Sequence, residues 1–433
     1  MDERDITSFT CCGEVPWCVT VHFVRNSRLR FTAVNVGHCS AVEYDIRLRP
    51  VQKFTEPSGV AHIQFVCGDL KGGGRRVVRS DDVMTSPCGT HHHVTTEQAS
   101  RTNDEELHLV LRFSENISIY PSPRLIMRIL VTGGAGFIGS NFVHLLLDET
   151  DYDITTLDAL TYAGSTENLG ETLENERHEF IEGDIRNRDL VADLLVDIDV
   201  VINFAAESHV DRSIDGAEPF VTTNVQGTQV LLDAAVDADI DRFIQISTDE
   251  VYGEIEEGTF SEEDRLSPRN PYSATKAGAD LLARSYQTTH SLPVIVTRSS
   301  NNFGPRQHPE KLVPKFLMNA AEGRALPVYG DGTNVREWIY VEDNCRALLT
   351  VLEEGESGEV YNIGSGVEKQ NIEVTRAIID AVGASEELIE FVEDRAGHDQ
   401  RYALDASKIE SLGWEPRWSF EEGIDATVEY YLG

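Results

Sequence analysis

The stretch Arg128-Ile-Leu-Val-Thr-Gly-Gly-Ala-Gly-Phe-Ile-Gly139 decides the fold. It opens with an apolar run of strand length, and from Phe137 to Asp148 the apolar residues recur at helical spacing. Between the two, Gly133, Gly136 and Gly139 fit the pattern G-x-x-G-x-x-G. Glycine lets the chain turn tightly and approach a pyrophosphate, and the helix behind the turn offers free N–H groups and a partial positive charge. Strand, glycine turn and helix in that order open a dinucleotide-binding βαβ unit. Asp158, 19 residues after Gly139, ends the next apolar run. An acid there accepts from ribose hydroxyls and repels a 2′-phosphate, which favours NAD over NADP.

The alternation continues outward from this unit. Strands are expected at Asp153–Leu157, His178–Glu182, Asp199–Asn203, Arg242–Ser247 and Pro293–Arg298, and helices at Leu190–Leu195, Asn224–Val236 and Pro271–His290. Such a chain predicts a Rossmann-type α/β fold, a doubly wound parallel sheet with both faces covered. Residues 127–300 are read as the NAD-binding domain. Residues 301–433, richer in Pro and Gly, are read as mainly a smaller substrate-binding lobe with some return to the Rossmann domain. Asp184, after the third strand, falls near the adenine or serves as a helix cap.

Composition divides the chain near Met127. Residues 1–126 have a net charge of −1 and hold six of the seven Cys, whereas residues 127–433 have a net charge of −36. A field of that sign repels nucleic acid and anionic membranes, so neither is an expected partner. The chain as a whole has only seven Lys against 74 acidic residues, a balance suited to high salt, where screening relieves self-repulsion. No apolar run approaches the ~20 residues of a membrane-spanning helix, and the first residues lack a signal-peptide pattern, so a cytoplasmic location is expected. Within residues 1–126, Trp17–Val24 and His62–Cys67 have strand character. The cysteines there show no CxxC spacing; with His91, His92 and His93 they are either metal ligands or scattered thiols beside an incidental His run, and the second reading is preferred. No metal site is expected. The segment reads as an atypical extension, poorly ordered or lying upstream of a true start at Met127.

Two motifs carry chemistry. Tyr272 and Lys276 form Y-x-x-x-K, one helical turn apart and on one face. An adjacent ammonium lowers a phenol's pKa, so Tyr272 can take a hydroxyl proton while hydride leaves for NAD. The second motif, Thr248-Asp-Glu250, sits at the carboxyl end of the fifth strand, where α/β folds bind ligands. Thr248 can hydrogen-bond the oxygen being oxidised. Asp249 and Glu250 are, in so acidic a chain, either solvated surface or the acid and base of an elimination.

From Met127 to its end, about 300 of 433 residues, the chain resembles the extended short-chain dehydrogenase/reductase superfamily and, within it, the dTDP-glucose 4,6-dehydratases. The resemblance rests on Thr132–Gly139, Leu157–Gly164, Glu182–Ile185, Asn203–Ser213, Ser247–Gly253, Pro271–Lys276, Ser300–Pro305, Pro309–Leu312, Leu326–Gly332, Arg336, Tyr361–Gly364 and Asp394–His398. It implies a three-step reaction on a nucleotide-activated hexose. Tyr272 takes the O4 proton while the C4 hydride passes to NAD. Glu250 then removes the C5 proton as Asp249 protonates the leaving O6, and the hydride finally returns to C6. The resemblance implies cofactor contacts from Gly133, Gly136, Phe137, Ile138, Gly139, Asp158, Ala159, Leu160, Thr161, Asp184, Ile185, Ala205, Ala206, Thr223, Tyr272, Lys276 and Asn302. It implies substrate contacts from Ser208, Thr248, Asn301, Lys311, Leu312, Pro327, Val328, Tyr329, Arg336, Asn362, Arg395 and His398, with Arg336, Lys311 and Arg395 pairing the diphosphate. It also implies a homodimer joined through Asn224–Val236 and Tyr272–His290. The family offers no counterpart to residues 1–126.

A sugar-nucleotide 4-epimerase or a UDP-glucuronate decarboxylase on the same fold is the alternative; both keep the Tyr and Lys but have no need of the Asp-Glu pair. A non-catalytic NAD-binding regulator, and a protein with an added metal-binding N-terminal module, are the remaining readings.

Overall fold

The computed structural model describes residues 126–394 and 399–433 and, within residues 1–125, the backbone of eight strands alone. The chain divides into two units, Met1–Leu125 and Ile126–Gly433. In the first, Phe9–Thr10, Trp17–Val24 and Arg28–Asn35 form an antiparallel sheet. Tyr44–Arg49, Gln64–Asp69, Arg75–Val78, Thr95–Arg101 and Leu107–Arg112 form another. Trp17–Val24 is a strand as expected, and the strand expected at His62–Cys67 runs from Gln64 to Asp69. The cysteines and His91–His93 lie outside the residues whose side chains are described.

The second unit is built on a parallel sheet of seven strands: β1 Arg128–Thr132, β2 Asp153–Asp158, β3 His178–Glu182, β4 Val200–Asn203, β5 Arg242–Thr248, β6 Val294–Ser299 and β7 Val360–Ile363. Their order is β3-β2-β1-β4-β5-β6-β7, which reverses direction at β1 and opens the crevice between β1 and β4 where such sheets bind ligands. Consecutive residues of β1 serve opposite faces. Ile129 and Val131 join the core beneath helices α1 (Phe137–Glu149) and α6 (Val341–Glu354), and Leu130 joins the other core. That second core lies beneath α2 (Arg188–Leu195), α3 (Thr228–Ala238) and α4 (Pro271–His290). Burial on both faces is why the strand sequences run apolar without alternation. Phe142 and Leu146 of α1 are wholly buried, and truncating such a Leu costs about 2–5 kcal/mol.

The helix expected at Asn224–Val236 starts earlier and differently. Val221–Gly227 is a π-helical stretch running directly into α3. The wider turn lets the buried Asn224 side chain face inward, where it bonds both the N–H and the C=O of Glu207 and the Thr275 hydroxyl. The loop after β4 is thereby tied to α4.

The remaining chain forms a lobe around Phe303, Phe316, Leu317, Trp338, Ile378 and Phe420. Its frame is α5 (Leu312–Ala321), α7 (Asn371–Val382), α8 (Phe420–Leu432) and short strands that include Asn301–Phe303 and Val335–Tyr340. β7 and α6 belong to the sheet and its cover, so the chain re-enters the parallel layer after the lobe has begun. Among the described residues, no helix is long and apolar enough to cross a membrane.

Candidate active site

The glycine turn is shaped by close backbone contacts. Gly133 has φ +69°, and a Cβ there would lie 2.6 Å from the Ala205 nitrogen. A Cβ on Gly139 would lie 2.4 Å from the Gly133 carbonyl oxygen. Helix α1 begins at Gly136 with no side-chain cap, so its first residues, Phe137, Ile138 and Gly139, present the helix start to a cavity of about 260 Å³. These features suit a pyrophosphate. Asp158, Ala159, Thr161, Asp184, Ile185, Ala205, Ala206, Thr223, Tyr272 and Lys276 line the same cavity.

Asp158 does more than its position in the sequence suggests. Its two carboxylate oxygens accept from Ala135 N (2.9 Å) and Leu160 N (2.8 Å), pinning the glycine turn to the end of β2. Burial raises its pKa despite those bonds. Lone pairs remain on both oxygens for a ribose hydroxyl. Leu160 itself, at φ +47°, does not line the cavity; it packs on the core beneath α1. Asp184 is not a helix cap, because Asn187 caps α2. Instead the Arg186 guanidinium binds the Asp184 carboxylate and lowers its pKa. Arg186 lines the cavity and was not identified from the sequence.

A second cavity, of about 650 Å³, shares Phe137, Ile138, Ser208, Ser247, Tyr272 and Lys311 with the first. Thr248, Asp249 and Glu250 form its wall at the end of β5. Thr248 Oγ1 donates to Asp249 Oδ1 (3.2 Å) and accepts from Glu250 N (3.4 Å), which starts a 3₁₀ turn that faces both carboxylates into the cleft. The two acids have unequal surroundings. Asp249 is 2% exposed, and its Oδ2 finds no hydrogen-bond partner among the described residues. Burial, then Glu250 and Glu337, hold its pKa well above the usual carboxylate range. Glu250 is half-buried and accepts from Asn270 Nδ2 (3.1 Å).

Tyr272 sits in the first turn of α4, which is set by an Asn270–Ser273 capping box and by Pro271 at its first position. Lys276, one turn on, is 4% exposed and donates to the Ile246 carbonyl (2.6 Å). Burial pulls its pKa down to about 8. The expected lowering of the Tyr272 pKa is not found in the protein's own groups. Burial, followed by Glu250 and Asp249, pushes the phenol upward. Spacing along the helix shows the cation one turn away but neither the burial nor the two carboxyl groups beside the phenol.

The lobe supplies the far wall through Asn301, Lys311, Leu312, Pro327, Val328, Tyr329 and Arg336, with Ser208 contributed from the loop after β4. Arg336 is buried and held by the carbonyls of Val335 (2.7 Å) and Asp399 (2.9 Å), its guanidinium 4.4 Å above the Tyr402 ring. Lys311 donates to the Ser208 carbonyl at 3.0 Å. Two expected contacts lie elsewhere. Asn302 lines this larger cavity and not the cofactor cavity, its amide donating to the Ser300 carbonyl. Asn362 does not line either cavity: it is fully buried in β7, accepts from the Tyr252 hydroxyl (2.7 Å) and donates to the Phe260 carbonyl (3.0 Å). Arg395 and His398 lie outside the described residues. Asn270, Tyr402 and Arg186 were missed because their roles come from three-dimensional neighbours; only the N-cap pattern before Pro271 could have pointed to Asn270.

Residues 130–427 match the model of the family described as GDP-mannose 4,6 dehydratase. The low-salt glycan biosynthesis protein Agl12 of Haloferax volcanii is 72% identical over 307 residues, an alignment that covers 71% of this chain and 99% of that protein. A dTDP-glucose 4,6-dehydratase of an Actinoplanes species is 50% identical over 312 residues, covering 70% of this chain and 98% of that protein. The crystal structure of DesIV, a dTDP-glucose 4,6-dehydratase from Streptomyces venezuelae with NAD bound, has a TM-score of 0.69 and 51% identity and covers 70% of this chain and 97% of that one. Its fold, its glycine-turn and strand-end clefts and these relatives together show that the chain belongs to the GDP-mannose 4,6 dehydratase family and, within it, to the dTDP-glucose 4,6-dehydratases.

Proposed function

We propose that this chain dehydrates dTDP-glucose to its 4-keto-6-deoxy derivative. The observation that carries the reading is the placement of Asp249 and Glu250 beside Tyr272 on one cleft wall in unequal surroundings. An epimerase or decarboxylase needs the tyrosine and the lysine but has no use for a paired acid and base at that place.

The roles are those the resemblance implies, and the surroundings of Asp249 and Glu250 support theirs. Tyr272 takes the O4 proton, and Thr248 steers that oxygen by a hydrogen bond. NAD bound on the glycine turn would accept the C4 hydride and return it to C6. The 4-keto group makes the C5 proton acidic, and Glu250, held by Asn270, removes it and returns it to C5 as hydride adds at C6. Asp249, whose pKa burial holds well above the usual carboxylate range, gives a proton to the departing O6, so that hydroxide leaves as water. Lys276 sets the electrostatics behind Tyr272. Arg336 and Lys311 supply positive charge for a diphosphate in a chain whose net charge is −37.

The surplus of acids supports a salt-rich cytoplasm as the working environment, where NAD and nucleotide sugars meet. We further propose a homodimer joined through the Asn224–Val236 and Tyr272–His290 helices, supported by the exposed Leu281 (56%) on the second and Val221 (49%) in the π-helical turn that leads into the first. The reading is tested by offering the purified protein dTDP-glucose and UDP-glucose in molar salt and following the 4-keto product by its absorbance in alkali. Product from dTDP-glucose supports the assignment. Epimerised sugar without the 4-keto chromophore contradicts it.

A further inference from the structure

The largest fully buried side chain of the described residues is a cation, Arg298 on β6, 1% exposed. Its Nε donates to Asp280 Oδ2 at 3.1 Å, and Asp280 is wholly buried on α4. A buried ion pair is weak evidence for stability, because desolvating two charges offsets much of their attraction. The pair therefore calls for another explanation, and its position supplies one. Asp280 lies four residues after Lys276, on the same face of α4. Lys276 is buried as well, and it donates a hydrogen bond to a neutral carbonyl, that of Ile246. A buried ammonium with no counter-charge loses its proton.

The charged and titratable groups packed around this helix narrow the choice. On α4 itself Tyr272 and Asp280 stand four residues to either side of Lys276, and Arg284, Tyr286 and His290 lie further along. From β5 come the Ile246 carbonyl and the Ser247 side chain, and from β6 comes Arg298; burial raises the Asp280 pKa, and Arg298, Lys276 and Ser247 all act against that rise. The turn after β5 brings Asp249 and Glu250 to Tyr272, and its Tyr252 accepts from Arg298 Nη1 at 2.8 Å. On α3, Asp233 is engaged by the Tyr286 hydroxyl and Arg188. Asp280 is the acid that acts on Lys276.

We propose that Asp280 is a positioning residue of the reaction: it is the fixed counter-charge that keeps Lys276 an ammonium behind Tyr272, and Arg298 keeps Asp280 ionised. The proposal deepens the reading of Tyr272 and Lys276 given above and rests on it. Lys276, Asp280 and Arg298 together leave one net positive charge beneath the phenol, opposite the two carboxylates on the cleft wall.

The test uses the full chain with its seven lysines carrying ¹³C at Cε, few enough for the Lys276 resonance to be assigned with a Lys276→Arg variant. The titration midpoint of Lys276 and the pH profile of dehydration are measured for the parent, for Asp280→Asn and for Asp280→Asn/Arg298→Met. The double variant leaves no unpaired charge in the core and gives the reading if the single variant does not fold. In either variant the midpoint is expected to fall by roughly 1–3 pH units, and the alkaline limb of kcat/KM is expected to move down with it. An unchanged midpoint, with activity lowered equally at every pH, would overturn the proposal and leave Asp280 a packing residue. A midpoint that falls while the alkaline limb stays put would uphold Asp280 as the counter-charge and instead refute a catalytic role for Lys276.

Discussion

Asn270 does two things at once: its Oδ1 accepts from Ser273 N to cap the helix that carries Tyr272, and its Nδ2 donates to Glu250 at 3.1 Å. One side chain thus fixes the phenol and the proposed base relative to each other. Asn270→Ala should cost about 0.5–2 kcal/mol from the lost cap, seen as a lower Tm. It should also lower kcat more than it raises KM. Asn270→Asp keeps a capping oxygen but sets a carboxylate against Glu250. It should retain more stability than the Ala variant and still lose turnover.

The acid pair can be separated from the oxidation step. Glu250→Gln and Asp249→Asn should stall elimination, lowering dehydration by about 10²–10⁴-fold while the bound cofactor still becomes reduced on mixing with substrate. Tyr272→Phe should abolish that reduction too. Stopped-flow absorbance of the reduced nicotinamide checks all three, and full dehydration by either carboxylate variant would refute the assigned roles.

Lys276 predicts the alkaline side of the pH profile. Burial lowers its pKa to about 8, so it is an ammonium below that pH and neutral above it. Turnover should therefore fall as pH rises through about 8, and a rate still climbing beyond that point would contradict the assignment.

The glycine turn should tolerate no side chain at two positions. Gly139→Ala drives a Cβ to within 2.4 Å of the Gly133 carbonyl oxygen, and Gly133→Ala adds strain at φ +69°. Both should weaken NAD binding at least tenfold, measured by calorimetry on protein stripped of nucleotide. Thr223→Ser, on the same cavity, should not.

Residues 1–126 differ from the rest in charge and cysteine content. If Met127 is the true start, mass spectrometry of the native protein will recover peptides from residues 127–433 and none from residues 1–126. Peptides from that segment at ordinary abundance would rule the idea out.

The parts of this site that can be read from the sequence are those whose partners are close along the chain. Gly133 to Gly139, Thr248 to Glu250, and Tyr272 with Lys276 are each contained in one turn, so spacing alone places them together. Asp249 and Glu250 remained ambiguous as surface acids until the 3₁₀ turn was seen to face them inward. Asn362 was misplaced for a physical reason. All four residues of β7 are buried, so alternation could not say which side chain meets the cleft, and Asn362 serves Tyr252 and Phe260 instead. The Tyr272 pKa was read with the wrong sign because burial, and then Glu250 and Asp249 on another element, push it upward, and spacing along one helix shows neither. Tyr402 supports Arg336 from 66 positions away, a relation no local pattern carries.

The most direct measurement uses dTDP-glucose deuterated at C4, converted in ordinary water, with the product read by NMR. Hydride taken from C4 and returned to C6 within one site predicts a 4-keto product whose C6 methyl carries the deuterium. Deuterium still at C4 of an epimerised sugar would contradict the account.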